Sequence, residues 1–176
     1  MNFYTLSDES ENAPYLHKSR CCITIEVDRK NFTMKGCFFM AIENPTREEI
    51  GEILKQAKTI AVVGLSGNPE RTSYMVSEAM QKAGYKIIPV NPTVDEVLGE
   101  KAVASLKDIK EHVDIVNVFR RSEHLLNVAK EFVEIDANIY WAQLGLENEE
   151  AYNFLKEKGY TVIMDRCIKV EHALTV

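Results

Sequence analysis

The segment Gly64-Leu-Ser-Gly-Asn-Pro-Glu-Arg-Thr-Ser73 concentrates the residue types that hold an anion. Gly64 and Gly67 let a backbone approach a ligand closely, Ser66, Asn68 and Ser73 supply hydroxyl and amide groups, and Arg71 supplies charge. A helix beginning at Thr72 or Ser73 would add unpaired N–H groups and a dipole that favour phosphate. The segment is not G-x-G-x-x-G and carries no Walker lysine, so it matches neither a dinucleotide nor a triphosphate loop. A glycine-rich turn with no ligand, and a solvated Arg71, is the alternative.

Four further places carry chemistry-bearing residues. Phe119-Arg120-Arg121 offers a ring for stacking on adenine and charge for a phosphate, or else is a helix start with two surface arginines. Gln143 presents a neutral donor and acceptor, suited to an amide-bearing ligand arm. Asp165-Arg166-Cys167 sets a thiol beside an acid and a base that can pair with each other; a lone cysteine is more often a small buried hydrophobe. Asn91-Pro92 is a turn initiator standing where a nicotinamide-binding domain keeps an acid for the ribose, and the first acid beyond it is Asp95. That substitution argues against an NAD(P)-dependent oxidoreductase, which otherwise remains the enzymatic alternative. His172 has no serine or carboxylate at triad-like spacing and reads as structural. No catalytic residue and no metal ligand is assigned, since the four histidines are scattered and the four cysteines form no Cys-x-x-Cys pair.

These residues need elements to position them, and the chain supplies an alternation. Thr46-Arg-Glu-Glu49 has capping-box spacing ahead of a helix through Ile50, Ile53, Leu54 and Ala57. Thr59–Val63 is a continuously apolar strand. A helix from Thr72 or Ser73 to Gly84 follows, then a strand over Lys86–Val90. Val113–Val118, Asn138–Trp141 and Tyr160–Met164 read as strands, separated by helices over Ser122–Val133 and Glu147–Lys158. Five strands alternating with helices predict an α/β fold with a parallel sheet covered on both faces. In such sheets ligands sit beyond the carboxyl ends of the strands, which is where all five groups above fall.

Composition sets the bounds. At 176 residues and 45% hydrophobic content there is material for one ordinary domain. A net charge of −6 argues against nucleic acid, and no apolar run approaches a membrane span. The N-terminus lacks the layout of a signal peptide, so a cytoplasmic protein with reduced thiols is expected. Residues 1–39 differ from the rest, with a weak hairpin pattern over Cys22–Val27 and Phe32–Phe39. Lys35-Gly36 can be encoded by a purine-rich ribosome-binding sequence just upstream of Met40. Residues 1–39 are therefore expected to be an N-terminal extension, either disordered or arising from an upstream start choice, with the domain at 40–176.

Taken in order, five segments resemble the single-domain CoA-binding protein family. They are Ala61–Tyr74, Gly84–Pro92, Val116–Arg121, Trp141–Gly145 and Met164–His172. That family is similar to the CoA-binding N-terminal domain of the succinyl-CoA synthetase alpha subunit and of ADP-forming acyl-CoA synthetases. The resemblance implies a Rossmann-like three-layer sandwich with a five-stranded parallel sheet. It implies that Gly64, Ser66, Gly67, Asn68, Arg71 and Ser73 wrap the ADP portion of coenzyme A. Asn91 and Pro92 would border the nucleotide, Val118, Phe119 and Arg120 would line its other side, and Gln143 to Gly145 would approach the pantetheine arm. The expected ligand is CoA or an acyl-CoA, held without catalysis by the chain alone; a homodimer or a partner ligase chain is the expected macromolecular context. Cys167 is expected to form a mixed disulfide with the CoA thiol under oxidation.

Overall fold

The computed structural model describes residues 41–176; the hairpin and start-site expectations for residues 1–39 lie outside them. Helix α1 (Arg47–Gln56) begins on a complete capping box, Thr46 Oγ1 accepting from Glu49 N–H at 3.3 Å and Glu49 accepting from Thr46 N–H at 2.8 Å. Strand β1 (Thr59–Val63) leads to α2 (Thr72–Lys82) and β2 (Lys86–Val90). The expected β2 contains Pro89, which has no N–H to give a ladder. It is tolerated because β2 is an edge strand.

The chain then makes a short hairpin, β3 (Glu96–Val97) and β4 (Glu100–Lys101), whose turn residues Leu98 and Gly99 both have positive φ. Strand β5 (Val113–Val118) follows, then α3 (Leu125–Phe132) entered through a 3-10 turn at Ser122–His124. Strand β6 (Ala137–Ala142), α4 (Glu149–Glu157), β7 (Thr161–Ile163) and α5 (Ile168–Thr175) complete the order. The β3–β4 hairpin and α5 are additions to the elements expected from sequence.

The five long strands form one parallel sheet in the order β2-β1-β5-β6-β7. The chain leaves β1 toward β2 on one side and returns to β5 on the other, so strand order reverses between β1 and β5. This is the Rossmann-like architecture expected. Alternate strand residues face opposite ways, so two apolar layers form. Ala61, Val63, Val116, Val118 and Tyr140 pack toward α3 and α4. Ile60, Val62, Ile115, Trp141 and Ile163 pack in the other layer with Ile50 and Leu54 of α1, Val76 of α2 and Ile168 of α5. No helix among the described residues is long and apolar enough to cross a membrane.

Candidate functional site

The reversal between β1 and β5 brings two sequence-distant loops together at the carboxyl edge. Gly64 donates its N–H to Val90 O at 2.9 Å, and Phe119 donates to Val63 O at 2.9 Å, so the first residues past β1 and β5 are still held by the sheet. A Cβ on Gly64 would stand 3.3 Å from the Phe119 carbonyl oxygen and 3.5 Å from Arg120 Cδ and Nε. Gly64 sits at φ +84°, in the left-handed region. Glycine is required there for both the turn and the approach of the second loop.

Beyond Gly64 the loop is ordered by its own polar side chains. Ser66 N–H donates to the Oγ of buried Ser73 at 3.1 Å, Asn68 N–H to Ser66 Oγ at 3.1 Å, and Glu70 N–H to Asn68 Oδ1 at 2.9 Å. The polar positions expected to hold a ligand therefore also fix the loop's shape. Arg71 occupies the N-cap of α2 without a side-chain cap bond, leaving the N–H groups of the first turn without an intrahelical partner. Arg71 at that end and Arg120, whose Cδ and Nε lie beside Gly64, are both exposed, as is Gly67, whose notional Cβ lies 3.6 Å from Val94.

Asn91 ties the neighbouring loop in. Its Nδ2 donates to Leu65 O at 2.8 Å, while its Oδ1 accepts from Thr93 N–H and Thr93 Oγ1 at 3.0 and 2.9 Å. Both ends of the amide are committed to protein, and Pro92 beside it is exposed. Phe119 is half-buried and packs against the layer containing Leu65, Val76, Trp141 and Ile168. Val118, the last residue of β5, is fully buried and faces the opposite layer.

On the far side of β5, Gln143 is buried and donates from Nε2 to Asn117 Oδ1 at 2.8 Å. Asn117 was not singled out by the sequence. Its signal was present only as a polar residue inside an apolar strand. Gly145 N–H donates to Asp165 Oδ1 at 2.6 Å, and Asp165 holds φ +52°. The suggested Asp165–Arg166 ion pair is thus replaced by two separate contacts, because Arg166 turns to Glu171 at 3.9 Å instead. Glu171 is 4% exposed and takes Arg47 Nε at 3.2 Å as well, so two arginines neutralise a buried carboxylate. Cys167 is half-buried at the N-cap of α5 and packs on the same layer as Phe119. His172 meets Tyr85 edge-on, ring centroids 5.6 Å apart. Among the described residues no cluster of three or more His, Cys, Asp or Glu is arranged to hold a metal ion.

Comparison with known proteins adds what geometry does not supply. A family model described as "CoA binding domain" matches residues 58–173, a span that contains every loop just described. The chain belongs to the CoA-binding domain family. One relative of the chain is an uncharacterized protein of Bacillus subtilis, YneT, 68% identical over 134 residues, covering 76% of this chain and 99% of the other. A solved structure from Thermus thermophilus, titled cell-free ID.343, is 40% identical with a TM-score of 0.72, covering 75% of this chain and all of that one. The acetate–CoA ligase [ADP-forming] II subunit alpha of Pyrococcus furiosus is 36% identical over 76 residues, 43% of this chain but only 15% of its own length.

Proposed function

We propose that this chain binds coenzyme A, free or acylated, at the carboxyl edge of its sheet, as a binding module with no catalytic group of its own. The observation that carries the reading is the match of the CoA-binding family model over 58–173. The uncapped start of α2 with Arg71 on it, and Arg120 beside Gly64, supply N–H groups and charge for the phosphates. Gly64, Ser66, Gly67, Asn68 and Ser73 shape the loop around the ADP portion. Asn91, Pro92, Val118 and Phe119 border the nucleotide, and Gln143 to Gly145 approach the pantetheine arm. The binding unit is residues 40–176.

A nicotinamide cofactor fits less well, because the Asn91 amide already serves Leu65 and Thr93 and carries no negative charge for a ribose diol. A second reading, a CoA-binding subunit of a multi-chain acyl-CoA ligase, is favoured by the similarity to the Pyrococcus furiosus alpha subunit. Co-purification with a ligase chain separates it from a free-standing module.

Cys167 at this edge is proposed to exchange with CoA disulfide. Its thiolate attacks one sulfur, a protein–CoA disulfide forms, the reagent S–S bond breaks and one CoA leaves as thiolate. Intact mass should rise by one CoA, and Cys167→Ser should show no adduct; an equal adduct in that variant would move the reaction to Cys21, Cys22 or Cys37. The binding reading itself is tested by titrating CoA into Arg71→Ala and Arg120→Ala. Each is expected to weaken CoA about 5- to 10-fold, the scale of one charge-assisted contact at an exposed site. Unchanged affinity in both variants would remove the phosphates from this loop.

A further inference from the structure

Within the coenzyme A reading, on which this inference rests, we propose that Asn117 and Gln143 form a recognition pair that reads an amide of the pantetheine arm. Asn117 is then a specificity-determining residue. It stands in β5 opposite Val62 on one side and Trp141 on the other, in the layer with Ile115. Every neighbour in that register is apolar and fully buried, yet Asn117 is only 1% exposed and Gln143 only 4%.

Gln143 is held from its backbone as well as its side chain. Its N–H donates to Val118 O at 3.3 Å and its carbonyl accepts from Leu146 N–H at 3.0 Å. The side-chain bond to Asn117 Oδ1, at 2.8 Å, then uses one atom of each amide. Among the described residues, Gln143 Oε1 and Asn117 Nδ2 meet no partner. Among the described residues the fully sealed side-chain atoms without a partner are Ser77 Oγ and Asn153 Oδ1, and neither free atom of the pair is one of them. β5 ends one residue after Asn117 and β6 one residue before Gln143, so that contact opens at the ligand edge.

A core position gains nothing from such a pair. Two apolar side chains of the same shape would pack there at no loss, and often with a gain. What the amides add is one unpartnered acceptor and one unpartnered donor on neighbouring side chains. Exchanging O and N in both amides leaves the same complement, so the inference does not depend on their assignment. An amide in a ligand offers the matching N–H and C=O. The pantetheine arm contains amides, and the adenosine bisphosphate half of coenzyme A contains none.

The experiment uses the full chain, wild type, Asn117→Leu, and the double variant Asn117→Leu/Gln143→Met, each titrated with CoA and with adenosine 3′,5′-bisphosphate and each melted. Asn117→Thr is made alongside, in case leucine does not fit. The proposal expects CoA to weaken about tenfold or more in the variants, with the bisphosphate held within about twofold. The double variant should melt at or above the wild-type temperature. A double variant that binds CoA like wild type would overturn the recognition role, as would equal losses for both probes. Wild type binding neither probe would instead overturn the coenzyme A reading, and this pair with it.

Discussion

Replacing Gly64 by alanine tests the junction of the two loops most sharply, because a control of matched conformation exists. Gly64 has φ +84° and Gly159 φ +83°, but a Cβ at Gly159 meets nothing within 4 Å. Gly159→Ala should lose only the left-handed penalty of an L-residue, about 1 kcal/mol. Gly64→Ala carries the same penalty and also sets a methyl 3.3 Å from the Phe119 carbonyl oxygen. That oxygen is backbone, and the Phe119 N–H is bonded to Val63, so it moves only by straining the β1–β5 ladder. Overpacking of this kind adds about 1–2 kcal/mol. The total is about 2–3 kcal/mol, a fall in melting temperature of roughly 6–15 °C against roughly 3–5 °C for the control. Urea unfolding of both variants reads the difference directly. Equal losses in the two would refute the close approach, and a Gly64→Ala protein as stable as wild type would refute the conformational argument too.

Other perturbations reach the remaining parts of the fold. Tyr140 is buried and donates its hydroxyl to Leu125 O at 3.0 Å, and burial pushes its pKa above the ordinary value of 10.0. Above about pH 10 the unfolded chain loses this proton while the folded chain keeps it, so stability should fall there by up to about 1.4 kcal/mol per pH unit. Tyr140→Phe should flatten that fall in urea titrations between about pH 9 and 11, with Tyr85, whose pKa burial also raises, sustaining what is left. Glu171→Ala should cost about 1.5–3 kcal/mol rather than more, because Arg47 and Arg166 are about half exposed and rehydrate once it is gone; chemical denaturation measures it. Asp165→Ala loses a charged acceptor for Gly145 and keeps a left-handed backbone, and should cost about 2–4 kcal/mol, with Asp165→Asn well below that in the same assay.

The main alternation was legible because each long element announces itself locally. Thr46 and Glu49 mark the start of α1, and Thr59–Val63 is short, apolar and bounded by a glycine. Helix α5 was not, because its burial runs against its chemistry. It buries the carboxylate of Glu171 and leaves Val170 and Leu174 more than half exposed, so no apolar period exists to read. The β3–β4 hairpin has two residues per strand, too few to show alternation.

The candidate site divides in the same way. Residues following each strand could be located from sequence, since strand ends fix the ligand edge. Their partners could not be. Asn117 and Gln143 are 26 residues apart and meet only through the β5–β6 register, and Gly145 and Asp165 are 20 apart across β6 and β7. Arg166 finds its partner in Glu171 of α5, not in Asp165 beside it in sequence.

The most direct test of the central claim is calorimetric titration of the full chain with CoA, acetyl-CoA and NAD, each run separately. The account predicts saturable one-to-one binding of CoA or acetyl-CoA at about micromolar Kd or tighter, with NAD at least about 100-fold weaker. Absence of binding by either thiol-bearing ligand, or tighter binding of NAD, would contradict it.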